Sequence, residues 1–195
     1  MYYTCAMSLE AQRKELQSLG FKIVSEKDDQ LVAVRQKWHW DCMFTKLTYV
    51  AFVRRIAHLT VAEIDADRTR LQDQARQIDP SALPRGFQKG VAVLTCYLAD
   101  RVDPDAQQMC GQSPKVRFAF FYLPAVLDGA TGNAHFVRST PAWGALFYGK
   151  FRHIIGRLLE PARTTGGEPV SIGGVVLTGI VVLVLVAALG RFLMR

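Results

Sequence analysis

Residues 38–42 read WHWDC, and His39, Asp41 and Cys42 are all side chains able to ligate a metal or move a proton. On an extended strand successive side chains alternate, so His39 and Asp41 share one face and Cys42 takes the other. Two ligands on a face fall short of the three or four that zinc requires, and no metal or other cofactor is expected. Arg35 and Lys37 fall on the face of His39, and the three form a basic ladder: Arg35, Lys37 and His39 are the candidate ligand-binding set. Beside two tryptophans such a ladder could grip a nucleic-acid strand. Trp38 and Trp40, however, alternate with it and share a face with Val32 and Val34, which should be the buried one. Stacking and charge would then not converge, and nucleic acid is not the expected partner.

Other chemistry-bearing patterns fail on spacing. GFQKG, residues 86–90, sets three residues between its glycines and leads into a strand, whereas a phosphate-binding loop needs four, then Lys and Ser or Thr, at a helix start. Cys5, Cys42, Cys96 and Cys110 form no CxxC pair, so reduced thiols are expected rather than a zinc ribbon or redox motif. A Cys110–His135 nucleophile pair is conceivable only if the fold brings the two together. No GxSxG or HExxH signature occurs, no catalytic residue is assigned, and an enzyme is not the favoured reading.

The elements that position these residues follow from periodicity. SLEAQRKELQSLGF places Leu9, Leu16 and Leu19 at helical intervals, with Gly20 as a left-handed stop. FKIVSEKDDQLVAVRQKWHW reads as a strand, a turn at Asp28–Asp29 and a second strand; a third, about 43–53, should pair antiparallel with it. Thr60 and Glu63 form a capping box opening a helix with a thin apolar stripe of Val61, Ile64, Leu71, Ala75 and Ile78. GVAVLTCYLA is apolar on both faces, as a central strand should be. DPDAQQMCG reads as a short helix with Asp103 as cap, and KVRFAFFYLPAVL with NAHFVRS as a last hairpin about a DGATGN turn. From Pro141 a final helix carries Trp143, Leu146, Phe147, Phe151, Ile154, Ile155, Leu158 and Leu159 as one stripe, which should cover the sheet. The expected fold is α+β, a mainly antiparallel sheet of about five to six strands with packed helices, plus one C-terminal transmembrane helix.

The order helix, three strands, helix, strand over roughly residues 8–99 resembles the core of the restriction-endonuclease-like fold. The metal-dependent nucleases of that fold place an acid on one strand and an acid, any residue, lysine triplet on the next. Here Asp28 and Asp29 sit at a turn, and Lys46 has Phe44 two places before it, so the resemblance implies element order alone and carries no site residue.

The chain ends VSIGGVVLTGIVVLVLVAALGRFLMR, and Pro169 to Gly190 is a run of 22 residues without a charge. As a helix it would be roughly 33 Å long, enough to cross a hydrocarbon core of about 30 Å. It is apolar on every side, unlike a helix that covers a soluble core. The expected organisation is a cytosolic α+β domain over 1–160, a short linker over 161–169, a transmembrane helix over 170–190 and a basic tail over 191–195. The N-terminal stretch MYYTCAMSLEAQRKEL has no basic region followed by an apolar run, so the domain should stay on the side where it is made. Either Met1 or Met7 could start it.

Net charge is +7, and with all 17 acidic residues ahead of the anchor and two basic ones beyond it, the preceding part carries +5. Between Arg138 and Arg163 five basic residues face one acidic residue. The positive-inside rule therefore puts the domain in the cytoplasm. Lys150, Arg152, Arg157 and Arg163 are the candidate contacts to a membrane surface, and Gly174 with Thr178 is a small-xxx-small pair for anchor packing. Expected partners are the lipid bilayer and another membrane or membrane-proximal protein, with homo-oligomerisation through the anchor. The favoured function is a tail-anchored, single-pass binding or scaffold module. The alternatives are a membrane-tethered enzyme or ligand sensor with a degenerate nuclease-like core, and a membrane-perturbing effector.

Overall fold

The structure is a computed structural model and describes residues 9–39, 45–78, 89–112, 120–141 and 145–163. The element order is α1 (Leu9–Ser18), β1 (Lys22–Lys27), β2 (Gln30–His39), β3 (Thr45–Leu59), α2 (Val61–Ile78), β4 (Lys89–Val102), α3 (Pro104–Gly111), β5 (Phe120–Asp128), β6 (Ala134–Phe136) and α4 (Ala145–Arg163). The class is α+β, and one sheet of six strands holds the order β1-β2-β3-β4-β5-β6.

That sheet is mixed and not mainly antiparallel. β1, β2 and β3 meander antiparallel, β3, β4 and β5 are parallel neighbours, and β6 returns antiparallel to β5. The reason lies in the connections. α2 and α3 each carry the chain back across the sheet, so β4 and β5 begin at the same end as β3, as a crossover between adjacent strands requires. β3 and β4 run 15 and 14 residues, so β3 outlasts the expected strand by six residues at its C-terminal end.

Helices cover both faces. Leu31, Ala33, Leu47, Tyr49, Ala51, Leu94, Cys96, Leu98 and Leu123 point toward α1 and α4 and meet Leu16, Phe151, Ile155 and Leu158 there. On the opposite face Val32, Val50, Phe52, Val91 and Val93 meet Leu71 and Ala75 of α2, while Tyr97, Ala99 and Val126 meet Ile64 with Ala106 and Cys110 of α3. Burial on two faces explains the unbroken apolar reading of β4. The stripe of α4 packs on the sheet from Phe147 to Leu159, whereas Leu146 is exposed and Trp143 lies outside the described residues.

Some of the local signals read from the sequence hold and one does not. Gly20 has φ +78°, and Phe21 and Gly20 donate their amides back to Leu16 and Gln17 to end α1. The Thr60 hydroxyl accepts from the Glu63 amide at 3.3 Å. Asp103 precedes α3 with Pro104 just inside it, but its carboxylate caps no amide of its own helix. α4 continues through Pro161 to Arg163, so the first three residues of the expected linker are helical. Residues 164–195, with the whole apolar run, lie outside the described residues. No helix among the described residues is long and apolar enough to cross a membrane.

Candidate functional site

The register puts Trp38, Lys46 and Lys89 in one row across β2, β3 and β4, at the end of the sheet where β2 finishes and the parallel strands start. α2 packs over the rows as far as Val91 and Phe120, one row short of Trp38. Trp38 is consequently 48 % exposed, and the expectation that its face is buried at that point is overturned. The opposite happens to its neighbour. His39 points under the start of α4, with its ring edge-on to Phe147 at 5.5 Å, and is 3 % exposed. Alternation correctly separates tryptophan from histidine, but the helices decide which is covered.

His39 joins two of the sequence-derived sets. Its Nδ1 lies 3.0 Å from Lys150 Nζ and its Nε2 lies 2.9 Å from Tyr49 Oη. An ammonium only donates, so Nδ1 accepts, and the ring proton sits on Nε2 and goes to Tyr49. Arg35 reaches back along the same face, donates to the Leu19 carbonyl at 2.6 Å and lies over the rings of Phe21 and Tyr49. Lys37 is exposed. The ladder of Arg35, Lys37 and His39 is thus split: two members are tied into the α1 and α4 layer and one faces water.

The remaining candidate membrane contacts also have partners within the fold. Arg152 donates to the carbonyls of Arg138 and Ser139 and to Thr140, and Arg157 pairs with Glu15 at 2.6 Å. The side chain of Arg163 and both Gly174 and Thr178 lie outside what is described, as do Trp40, Asp41 and Cys42.

The strand acids lie at one end. Lys22, Arg35, Lys37, Lys46 and Lys89 lie toward the Trp38 end with no described strand acid among them, whereas Glu26, Asp100 and Asp128 lie toward the other, together with Lys27, Arg54, Arg55 and Arg101. At that second end His58 Nε2 meets Asp103 Oδ1 at 2.7 Å, with Arg101 Nη2 at 3.3 Å. Asp103, expected as a cap, is spent on this half-exposed pair. Asp128 accepts from the Ala130 amide and the Thr131 hydroxyl and so holds the β5–β6 turn. His39 and Asp128 sit at opposite ends of the sheet and are not brought together.

A polar cluster between α2 and the sheet escapes the sequence reading. Asp67, 4 % exposed, accepts from Arg54 Nη1 at 2.7 Å, Arg70 Nη2 at 2.6 Å and Tyr97 Oη at 3.3 Å. Burial pulls the Arg54 guanidinium down, but the hydrogen bond and charge of Asp67, with Glu63 behind it, more than offset this and leave its pKa raised. Burial pushes the Tyr97 phenol far up, and that of Tyr122 up to about 12. Tyr122 Oη and Thr95 Oγ1 are buried near these groups without a hydrogen-bond partner of good geometry. A signal was present: Asp67 stands three residues after Ile64 and four before Leu71, a core-facing position of the α2 stripe.

Cys96 and Cys110 are free and fully buried, and burial pushes both thiols up to about 12. At neutral pH they are protonated and not nucleophilic. Gly111 and His135 do line a common depression of ≈ 390 Å³, beside β6, but it is open and shallow and the Cys110 thiol is buried. Among the described residues no three metal-ligating side chains gather. No protein-family model matches the chain, and no curated protein matches it.

Proposed function

We propose that the chain is a tail-anchored, single-pass membrane protein whose α+β domain faces the cytoplasm and works as a non-enzymatic binding or scaffold module. The observation that carries this reading is α4. Its apolar stripe is buried against the sheet, and it runs to Arg163, five residues short of the uncharged run that starts at Pro169. The six steps from Arg163 to Pro169 span at most about 22 Å. A helix belonging to the domain core would thus lead directly into the anchor and hold the domain at the lipid surface, where a modest affinity suffices because the effective concentration is high. Arg157 and Arg163, toward the C-terminal end of α4, are the proposed membrane-surface contacts, and Gly174 with Thr178 the proposed packing pair of self-associating anchors.

A membrane-tethered enzyme or sensor is the second reading. The half-exposed His58–Asp103 pair beside Arg101, at the carboxyl ends of the parallel strands β3 and β4, favours it.

The test is extraction of membranes with alkaline carbonate from cells expressing the full chain or a form ending at Arg163. The full chain should stay in the pellet and the shortened form should leave it. Release of the full chain, or retention of the shortened one, would overturn the anchor. Partners captured in mild detergent by both forms would belong to the domain.

A further inference from the structure

We infer that the Trp38 end of the sheet docks on the anionic headgroup surface of a facing membrane, so that the protein bridges two bilayers. The inference rests on the tail-anchored reading and deepens it by naming a ligand class and a direction.

Three observations converge. Among the described residues every charged strand residue toward this end is basic; half-buried Lys46 stands beside Trp38 on the same face, and exposed Lys37 precedes it on the opposite face. Two of the three exposed large hydrophobic residues among the described ones, Trp38 at 48 % and Leu146 at 63 %, lie at this same end. Leu146 belongs here because its neighbour Phe147 packs against the His39 ring and Lys150, one turn on, bonds it. Tryptophan and an aliphatic tip among lysines suit the layer where acyl chains meet phosphates: the apolar groups enter it and the cations neutralise it. A nucleic-acid strand would use the indole and the lysines, but gives exposed Leu146 nothing to contact.

The direction follows from α4. The helix starts at this end with Leu146 and leaves it, passing Glu15 at Arg157 and Gln12 at Leu158 on the neighbouring α1. From Leu146 to Arg163 the rise is about 26 Å, and the six steps from Arg163 to Pro169 return at most about 22 Å. An upright domain therefore holds its Trp38 end away from the bilayer that holds its anchor. Reclining α4 onto that bilayer would turn Trp38 and Lys46, which share the α2 face, away from lipid.

The full chain is reconstituted in neutral phosphatidylcholine vesicles, and retention is checked by flotation. Labelled target vesicles of phosphatidylcholine, with or without phosphatidylserine, are then added and clustering is read by light scattering. Only the phosphatidylserine targets should cluster, salt should reverse it, and Trp38→Ala or Lys37→Glu/Lys46→Glu should weaken it about tenfold while leaving flotation and thermal melting unchanged. Equal clustering of neutral targets, or full clustering by variants that melt normally, would overturn the docking surface. So would release of the targets by a single-stranded oligonucleotide at equal phosphate, which would assign the surface to nucleic acid. Insertion of Trp38 into host vesicles carrying the phosphatidylserine, with no targets present, would overturn the facing membrane. Loss of the chain from the host vesicles on flotation would overturn the anchor and the bridge together; retention without clustering would overturn the bridge alone.

Discussion

At the scale of single residues, Asp67 is the group on which most depends. It is a buried carboxylate whose acceptor capacity is divided between Arg54, Arg70 and Tyr97. Arg54 is itself three-quarters covered, so removing its partner leaves a cation with poor access to water. Breaking such a pair from one side costs about 3 kcal/mol or more, because the loss includes the desolvation of the group left behind. Asp67→Ala should lower the unfolding free energy read from urea denaturation by about that amount. Replacing Asp67, Arg54 and Tyr97 together with Leu, Met and Phe should recover much of it, since a well-packed apolar trio carries no such penalty. A single Asp67→Ala variant as stable as the parent would show that water reaches Arg54.

At the scale of elements, the turn from α1 into β1 depends on one left-handed residue. Gly20 has φ +78° with nothing near the position a Cβ would take, so a side chain there is strained by its backbone and not by crowding. Gly20→Ala should cost about 1–2 kcal/mol, and Gly20→Asn less, as read from chemical denaturation. Equal stability of all three would mean that α1 ends elsewhere. Features of this local kind were legible in the sequence: the Gly20 stop, the Thr60 cap, the turn at Asp28–Asp29, and β4 as a central strand. Strand direction was not, because periodicity of two is the same for parallel and antiparallel neighbours, and only the crossover through α2 sets it. The site was less legible than the fold. Alternation separates His39 from Trp38, but their burial depends on where α2 stops and α4 begins, and Lys150 lies 111 residues from His39. No short-range pattern carries that contact. Asp67 was within reach, as a charge in the apolar stripe of α2.

At the scale of the whole molecule, the two-sided core stores several acids in their neutral form. Cys96, Cys110 and Tyr122 have pKa values pushed up to about 12 by burial, against ordinary values of 9.0 for the thiols and 10.0 for the phenol. Above the ordinary values the unfolded chain releases these protons while the folded one keeps them. The folded state then binds more protons, and stability must fall as pH rises. The sign is opposite to that of a paired carboxylate: the contribution is intact below about pH 9 and is lost on the way to pH 12, at about 1.4 kcal/mol per group and pH unit. Thermal melts of the full chain in detergent should therefore be flat in this respect near neutrality and drop steeply from about pH 9 upward. Cys110→Ala removes one of these groups; it should melt lower at neutral pH, because it opens space beneath α3, yet decline less steeply in alkali. A parallel decline in the variant would mean that the Cys110 thiol ionises as readily in the folded protein as in the unfolded one, and so that α3 does not seal its side of the sheet. That outcome would also reopen the depression beside β6, since Cys110 adjoins Gly111, which lines it with His135, and a thiolate there would be the nucleophile that burial now excludes.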